Sequence, residues 1–225
     1  MSNESTRFNR RNIPRMIAVL QKEYKKWNMP AVTQTAKRSR DPFKVLISTI
    51  LSLRTKDETT SSASRRLFKM ADNPKDMLAL SPEQIENAIY PVGFYRTKAK
   101  IIRNVCKTLI EKYDSRVPDE IDELLKLKGV GRKTANLVVT LGYGKPGVCV
   151  DTHVHRISNR WGYIETKTPF ETEMVLREKL PRKYWIDYNS LLVAFGQTIC
   201  RPISPKCTEC PVEMSCEKVG VMRNR

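Results

Sequence analysis

Cys200, Cys207, Cys210 and Cys216 stand in the last 26 residues of the chain as one run, C-x6-C-x2-C-x5-C, and no other feature restricts the fold so sharply. Four thiols this close either pair as disulfides or converge on a metal centre. Disulfides belong to oxidising compartments, and the N-terminal sequence does not read as a secretory signal, so the chain is expected not to be secreted. A zinc ribbon places two C-x2-C knuckles around a longer excursion, whereas only Cys207 and Cys210 form a knuckle here. A [4Fe–4S] cluster accepts uneven short spacings because each thiolate reaches a different corner, so the spacing favours iron–sulfur over zinc. Pro202, Pro205 and Pro211 stiffen the intervening loops.

Charge supplies the second restriction. Lys+Arg number 41 against 24 Asp+Glu, a net charge of +17 over 225 residues, and such an excess seeks a polyanion, nucleic acid first. No apolar run approaches the roughly 18 residues needed to span a bilayer, so a membrane is not expected as a partner. The polar stretch Met1 to Asn12 reads as a basic arm whose arginines also leave a transit peptide open.

Apolar periodicity is helical almost throughout. Ile13, Ile17, Leu20 and Tyr24 recur at helical spacing; Asp41-Pro42-Phe43 reads as cap and first turn of a helix ending near Leu53; Ile101, Val105 and Leu109 give another apolar face. Ser81-Pro82-Glu83-Gln84 is a capping box, and Thr168-Pro169-Phe170-Glu171 repeats that grammar. Val138, Val139 and Val148 to Val150 have strand-forming side chains, but no alternating pair is joined by a hairpin turn. The expected fold class is all-α.

Two further motifs carry chemistry. Leu127-Lys128-Gly129-Val130-Gly131-Arg132-Lys133-Thr134-Ala135-Asn136 follows a short helix expected over Asp119 to Leu125. Its two glycines permit a tight turn whose amides face outward, and a helix starting near Arg132 adds unpaired N–H groups, so Gly129, Val130, Gly131 and Arg132 make a candidate phosphate-binding hairpin. Lys133 is then either one more phosphate contact or something more. Val150-Asp151-Thr152-His153-Val154-His155-Arg156 comes next. Asp151 is placed to cap the following helix, and a carboxylate there can also stabilise positive charge developing on a sugar ring. His153 and His155, two residues apart on a helix, point to different faces, which argues against a shared metal.

In order and spacing, LxGVGRKTAN, VDTH and the cysteine run resemble the endonuclease III family of helix-hairpin-helix DNA glycosylases over about residues 30–216. The resemblance implies two helical domains, 35–146 containing the helix-hairpin-helix and 1–34 plus 147–225 containing a C-terminal cluster loop. It implies a [4Fe–4S] cofactor on Cys200, Cys207, Cys210 and Cys216, with Lys133 as amine nucleophile and Asp151 as its carboxylate partner. It also implies a monomer acting on double-stranded DNA that bears a damaged base or an abasic site, in the cytoplasm if the source is prokaryotic. The implied function is a bifunctional glycosylase and abasic-site lyase removing oxidised pyrimidines. A monofunctional mismatch glycosylase is the first alternative, against which Lys133 speaks, and a non-catalytic iron–sulfur DNA-binding redox sensor is the second. Phe94, in Val92-Gly93-Phe94-Tyr95, matches the family's wedge position unless it is a buried anchor of its loop. Arg54 stands where the family commonly has glutamine facing the base opposite the lesion, which opens the question of opposite-base preference. Arg201 and Lys206, in the cysteine run, are expected to reach phosphates.

Overall fold

Several helices begin where a side chain satisfies their otherwise unpaired first amides. The computed structural model describes residues 12–225, so most of the expected N-terminal arm lies outside the described residues. Within them every regular element is helical and no strand forms. Asn12 caps α1 (Ile13–Glu23), with Pro14 in its first turn. There follow α2 (Ala31–Ser39), α3 (Pro42–Ser52), α4 (Asp57–Met70), α5 (Pro74–Ala79), α6 (Pro82–Ile89), α7 (Tyr95–Lys112), α8 (Ile121–Leu125) and α9 (Arg132–Leu137). The chain closes with α10 (Thr152–Arg160), α11 (Pro169–Lys179) and α12 (Trp185–Thr198).

The expected caps form. Asp41 Oδ1 accepts from the amides of Phe43 and Lys44 at the start of α3. Ser81 and Gln84 close a reciprocal box on α6, with Gln84 Oε1 accepting from the Ser81 amide at 2.8 Å. At α11 the box is displaced by one residue: Thr168 caps the Glu171 amide, but Glu171 Oε2 reaches the amide of Lys167 at 2.9 Å.

The chain divides into two compact units, Met1–Met29 with Val148–Arg225, and Pro30–Gly147. The first division falls at Pro30 instead of residue 35 because α2 packs against α3 and α4 and so belongs wholly to the second unit. That unit is built on α3, which is buried almost throughout: Val45, Leu46, Ile47, Ile50 and Leu51 are fully covered, by α2, α4, α7 and α9 among others. The other unit is discontinuous. Ile13, Met16, Ile17 and Leu20 of α1 enter one core with Val154, Ile157, Trp161, Leu192 and Phe195, because α1 has an apolar stripe at helical spacing that needs a partner surface.

The central valines are not strands. Val138 and Val139 begin a π-helical turn, Val138–Gly142, that continues α9, marked by the Tyr143 amide donating to the Val138 carbonyl at 3.2 Å. Val148, Cys149 and Val150 are buried outside any regular element. Buried β-branched side chains need no sheet when other parts of the chain cover them.

Candidate active site and cysteine cavity

Six residues turn the chain from α8 into α9. Leu127 and Val130 are buried and anchor the turn, and the Val130 amide donates to the Leu127 carbonyl at 3.0 Å. That bond corrects one expectation: Val130 holds the hairpin closed, so its N–H is not offered to a phosphate. Gly129 has φ +88°, and a Cβ there would lie 2.7 Å from Ile101 Cγ2, so conformation and packing both require glycine. Gly131 differs. Its backbone is extended, at φ −100° and ψ 177°, and a Cβ would meet nothing within 4 Å. Packing inside the chain therefore does not explain why residue 131 lacks a side chain.

Lys133 sits half-buried in the first turn of α9, followed by buried Thr134, Ala135 and Asn136. Asn136 Nδ2 donates to the Arg132 carbonyl at 3.1 Å, and Thr140 Oγ1 donates to the Asn136 carbonyl at 2.7 Å, so side chains stiffen the passage into the π turn.

Asp151 belongs to the other unit, where it is the N-cap of α10. Both capping bonds end on one oxygen: Oδ1 accepts from the amides of His153 at 2.9 Å and Val154 at 3.0 Å. The carboxylate thus stands at the positive end of the helix dipole. The two histidines take different partners, as their spacing required. His155 Nδ1 lies 2.7 Å from Thr172 Oγ1 and His153 Nδ1 lies 3.1 Å from Arg156 Nη2.

All six cysteines are free of disulfides, which removes that alternative for the C-terminal run. Cys200, Cys207, Cys210 and Cys216 line one cavity together with Arg160, Trp161, Phe195 and Lys218. Among the described residues no three His, Cys, Asp or Glu side chains are grouped as for a single metal ion. Burial pushes three of the thiols up, Cys210 to about 12, Cys216 to about 11 and Cys200 in the same direction. Left to themselves these thiols would be neutral at pH 7. N–H donors already face two of the sulfurs: Arg160 Nη1 lies 3.3 Å from Cys200 Sγ, and the Lys218 amide lies 3.3 Å from Cys216 Sγ.

Arg160 was not singled out by sequence reasoning, yet it closes the whole loop. Its guanidinium donates to the carbonyls of Arg201 at 2.8 Å and Pro202 at 3.2 Å, and its own carbonyl accepts from the Val219 amide at 3.0 Å. One turn earlier Arg156 Nη2 donates to the Cys200 carbonyl at 2.8 Å. Two arginines four residues apart on a helix that opens with Asp151 were the available signal. Arg201 is exposed, but Lys206 forms an ion pair with Glu209 at 2.9 Å, so its ammonium is already committed to a neighbour before any phosphate arrives.

Arg54 and Phe94 come together. Phe94 is 63% exposed, which overturns the buried-anchor alternative, and the Arg54 guanidinium carbon lies 5.8 Å from its ring centroid. Both have left-handed backbones, at φ 51° and 58°, a conformation uncommon outside glycine and worth explaining where it occurs twice in contact.

Residues 47–182 match the HhH-GPD superfamily of base excision DNA repair proteins. The chain is 48% identical over 193 residues to endonuclease III of Thermotoga maritima, covering 84% of this chain and 91% of that one. A non-covalent endonuclease III–DNA complex superposes with a TM-score of 0.82 at 34% identity, covering 93% of this chain and 95% of that one. A trapped endonuclease III–DNA covalent intermediate, in an estranged-adenine complex, gives a TM-score of 0.75 at 38% identity, covering 79% and 84%.

Proposed function

We propose that this chain, which belongs to the endonuclease III family of HhH-GPD base excision repair proteins, removes oxidised pyrimidines from duplex DNA with Lys133 as nucleophile and Asp151 as carboxylate partner. It is a bifunctional DNA glycosylase and abasic-site lyase. The observation that carries the residue assignment is the position of Lys133, in the first turn of the helix that the Gly129 turn introduces. Gly131 supports the same reading, since an open, side-chain-free backbone is what close approach of a phosphate needs.

A base within the stack cannot be reached, so the damaged nucleotide is extruded, at a cost of a few kcal/mol that lesions with weakened stacking reduce. The neutral amine of Lys133 attacks C1′ of that nucleotide, the N-glycosidic bond breaks, and the base departs with the bonding pair and acquires a proton. Loss of a proton from Lys133 nitrogen leaves a Schiff base after ring opening. That imine acidifies the C2′ proton, whose removal expels the 3′ phosphate by β-elimination and breaks the strand. Asp151 stabilises the positive charge that grows on the sugar as the base leaves, acting from its place as N-cap of α10.

The cysteine cavity fits a [4Fe–4S] cluster held by Cys200, Cys207, Cys210 and Cys216. Buried thiols pushed far up are the donors that a cationic centre converts to thiolates, and thiols around the wall of a cavity suit a cluster with four corners. Bound there, the cluster fastens the loop that carries Arg201; the chemistry at C1′ is left to Lys133. DNA is the partner, and we assign Arg132 and Arg201 to its phosphates. The protein is expected to act as a monomer in the cytoplasm; no helix among the described residues is long and apolar enough to cross a membrane.

Borohydride reduction tests the assignment. Wild-type protein incubated with duplex containing one oxidised pyrimidine should be trapped as a covalent adduct, and Lys133→Gln should abolish trapping while duplex binding persists. Undiminished trapping by that variant moves the nucleophile elsewhere. A panel of single-lesion duplexes tests the substrate class: excision of a mispaired undamaged base in preference to oxidised pyrimidines would overturn it.

A further inference from the structure

Lys98 is only 4% exposed and lies in the first turn of α7, where both burial and the helix dipole disfavour an ammonium. Three oxygens explain it. Nζ donates to the carbonyl of Leu51 at 2.8 Å, the carbonyl of Leu53 at 2.5 Å and the Thr55 hydroxyl at 3.1 Å, which uses all three of its N–H groups. Two of these acceptors belong to the end of α3, whose last carbonyls have no glycine cap; Leu53, the residue following the helix, is extended. Lys98 supplies the missing cap from another helix.

The same contacts join two loops. Thr55 Oγ1, bound to Lys98, also accepts from the Gly93 amide at 3.2 Å. A Cβ on Gly93 would lie 2.7 Å from the Arg54 carbonyl oxygen, so the two turns touch backbone to backbone. Their outward tips are Arg54 and Phe94, the left-handed, exposed pair whose side chains stack. We propose that Lys98 is a positioning residue that, through Thr55, locks Arg54 and Phe94 into one rigid probe and so sets the preference for the base opposite the lesion. The proposal rests on the reading that Arg54 and Phe94 enter the duplex. Burial pushes the Lys98 ammonium down to about 8, whereas the three oxygens favour the charged form. A lysine kept at such a desolvation cost has a use that a hydrophobic residue could not fill.

The test measures single-turnover excision of one oxidised pyrimidine opposite each of the four bases, and strand cleavage of a single-stranded abasic oligonucleotide, which has no opposite base. Wild type is compared with Lys98→Met, Thr55→Val and Arg54→Gln. We expect Arg54→Gln to reorder the four duplexes. Lys98→Met and Thr55→Val should each compress the spread among them by on the order of tenfold or more, the scale set by misplacing a group by up to an ångström. Cleavage of the single-stranded substrate by those two variants should stay at the wild-type level. If Arg54→Gln reorders the duplexes while Thr55→Val and Lys98→Met retain the wild-type spread, the role of Lys98 is refuted and that of Arg54 stands. If none of the three alters the spread, the reading of Arg54 falls and the proposal with it. Equal losses on duplex and single-stranded substrates would make Lys98 a structural cap only, again overturning the proposal. Should Lys98→Met fail to fold, Thr55→Val, at a half-buried position, decides by the same criteria.

Discussion

Replacing Asp151 by asparagine separates two duties that one carboxylate performs. In α10 the cap consists of two bonds to Oδ1, from His153 and Val154, and an asparagine side chain offers an oxygen at the same place. Asparagine and aspartate are near-equal N-caps, so the bonds survive and only the charge at the helix end is lost, worth about 0.3–1 kcal/mol. Alanine removes the bonds as well, at about 0.5–2 kcal/mol. With about 2–4 °C of melting temperature per kcal/mol for a chain of this size, Asp151→Asn should melt within about 4 °C of wild type. A protein of ordinary stability that loses about 1 kcal/mol keeps all but roughly a thousandth of its molecules folded. Losing a stabiliser of transition-state charge, by contrast, costs on the order of a hundred- to a thousandfold in rate. No unfolding of that size can imitate such a loss. Single-turnover base excision, together with a melting curve on the same preparation, therefore distinguishes them. Wild-type excision by Asp151→Asn would refute the catalytic role, and a collapse of melting temperature as large as that of Asp151→Ala would refute the reasoning about the cap.

Gly129→Ala forces a left-handed alanine against Ile101, and should lower stability by about 1–3 kcal/mol, read as a fall in melting temperature; an unchanged value would mean that the turn relaxes freely. Protein purified without oxygen should be yellow-brown with about four irons per chain, and Cys210→Ser should lose iron and thermal stability together; stoichiometric zinc would overturn the cluster. Binding to undamaged duplex should weaken with salt at a slope of about −0.9 per neutralised phosphate, and Arg201→Ala should reduce the slope by about one phosphate while leaving lesion preference intact. Lys206→Ala, starting from a lysine paired with Glu209, should reduce it less, and an equal reduction would show that the ion pair opens on DNA.

The helical fold was legible because local grammar was strong: Asp41, Ser81 and Thr168 each precede proline, and all three cap as their sequences indicate. The valines at 138, 139, 148 and 150 had no such punctuation, and strand propensity describes a half-buried pleated surface, so wholly buried segments of another kind imitate it. Cys200, Cys207, Cys210 and Cys216 were legible as a group since ligand type and spacing carry the information. Arg160, which clasps their loop to α10 through bonds spanning about forty residues of sequence, was not legible, because nothing local distinguishes a buried arginine from an exposed one.

Lys98 makes the same point from the opposite side. In Tyr95-Arg96-Thr97-Lys98-Ala99-Lys100 its neighbours Arg96 and Lys100 are exposed, and sequence alone gives Lys98 the same surface role. It is buried because α7 presents residues 98, 99, 102, 105 and 106 on one face toward the unit's interior. A lysine on that face is a contradiction of pattern, and such contradictions persist where the surrounding structure compensates them. Here the compensation is three oxygens on a neighbouring turn, and that turn ends in Arg54. The informative residue was thus the one that broke the periodicity, and its meaning depended on a partner more than forty residues away, which no local reading supplies.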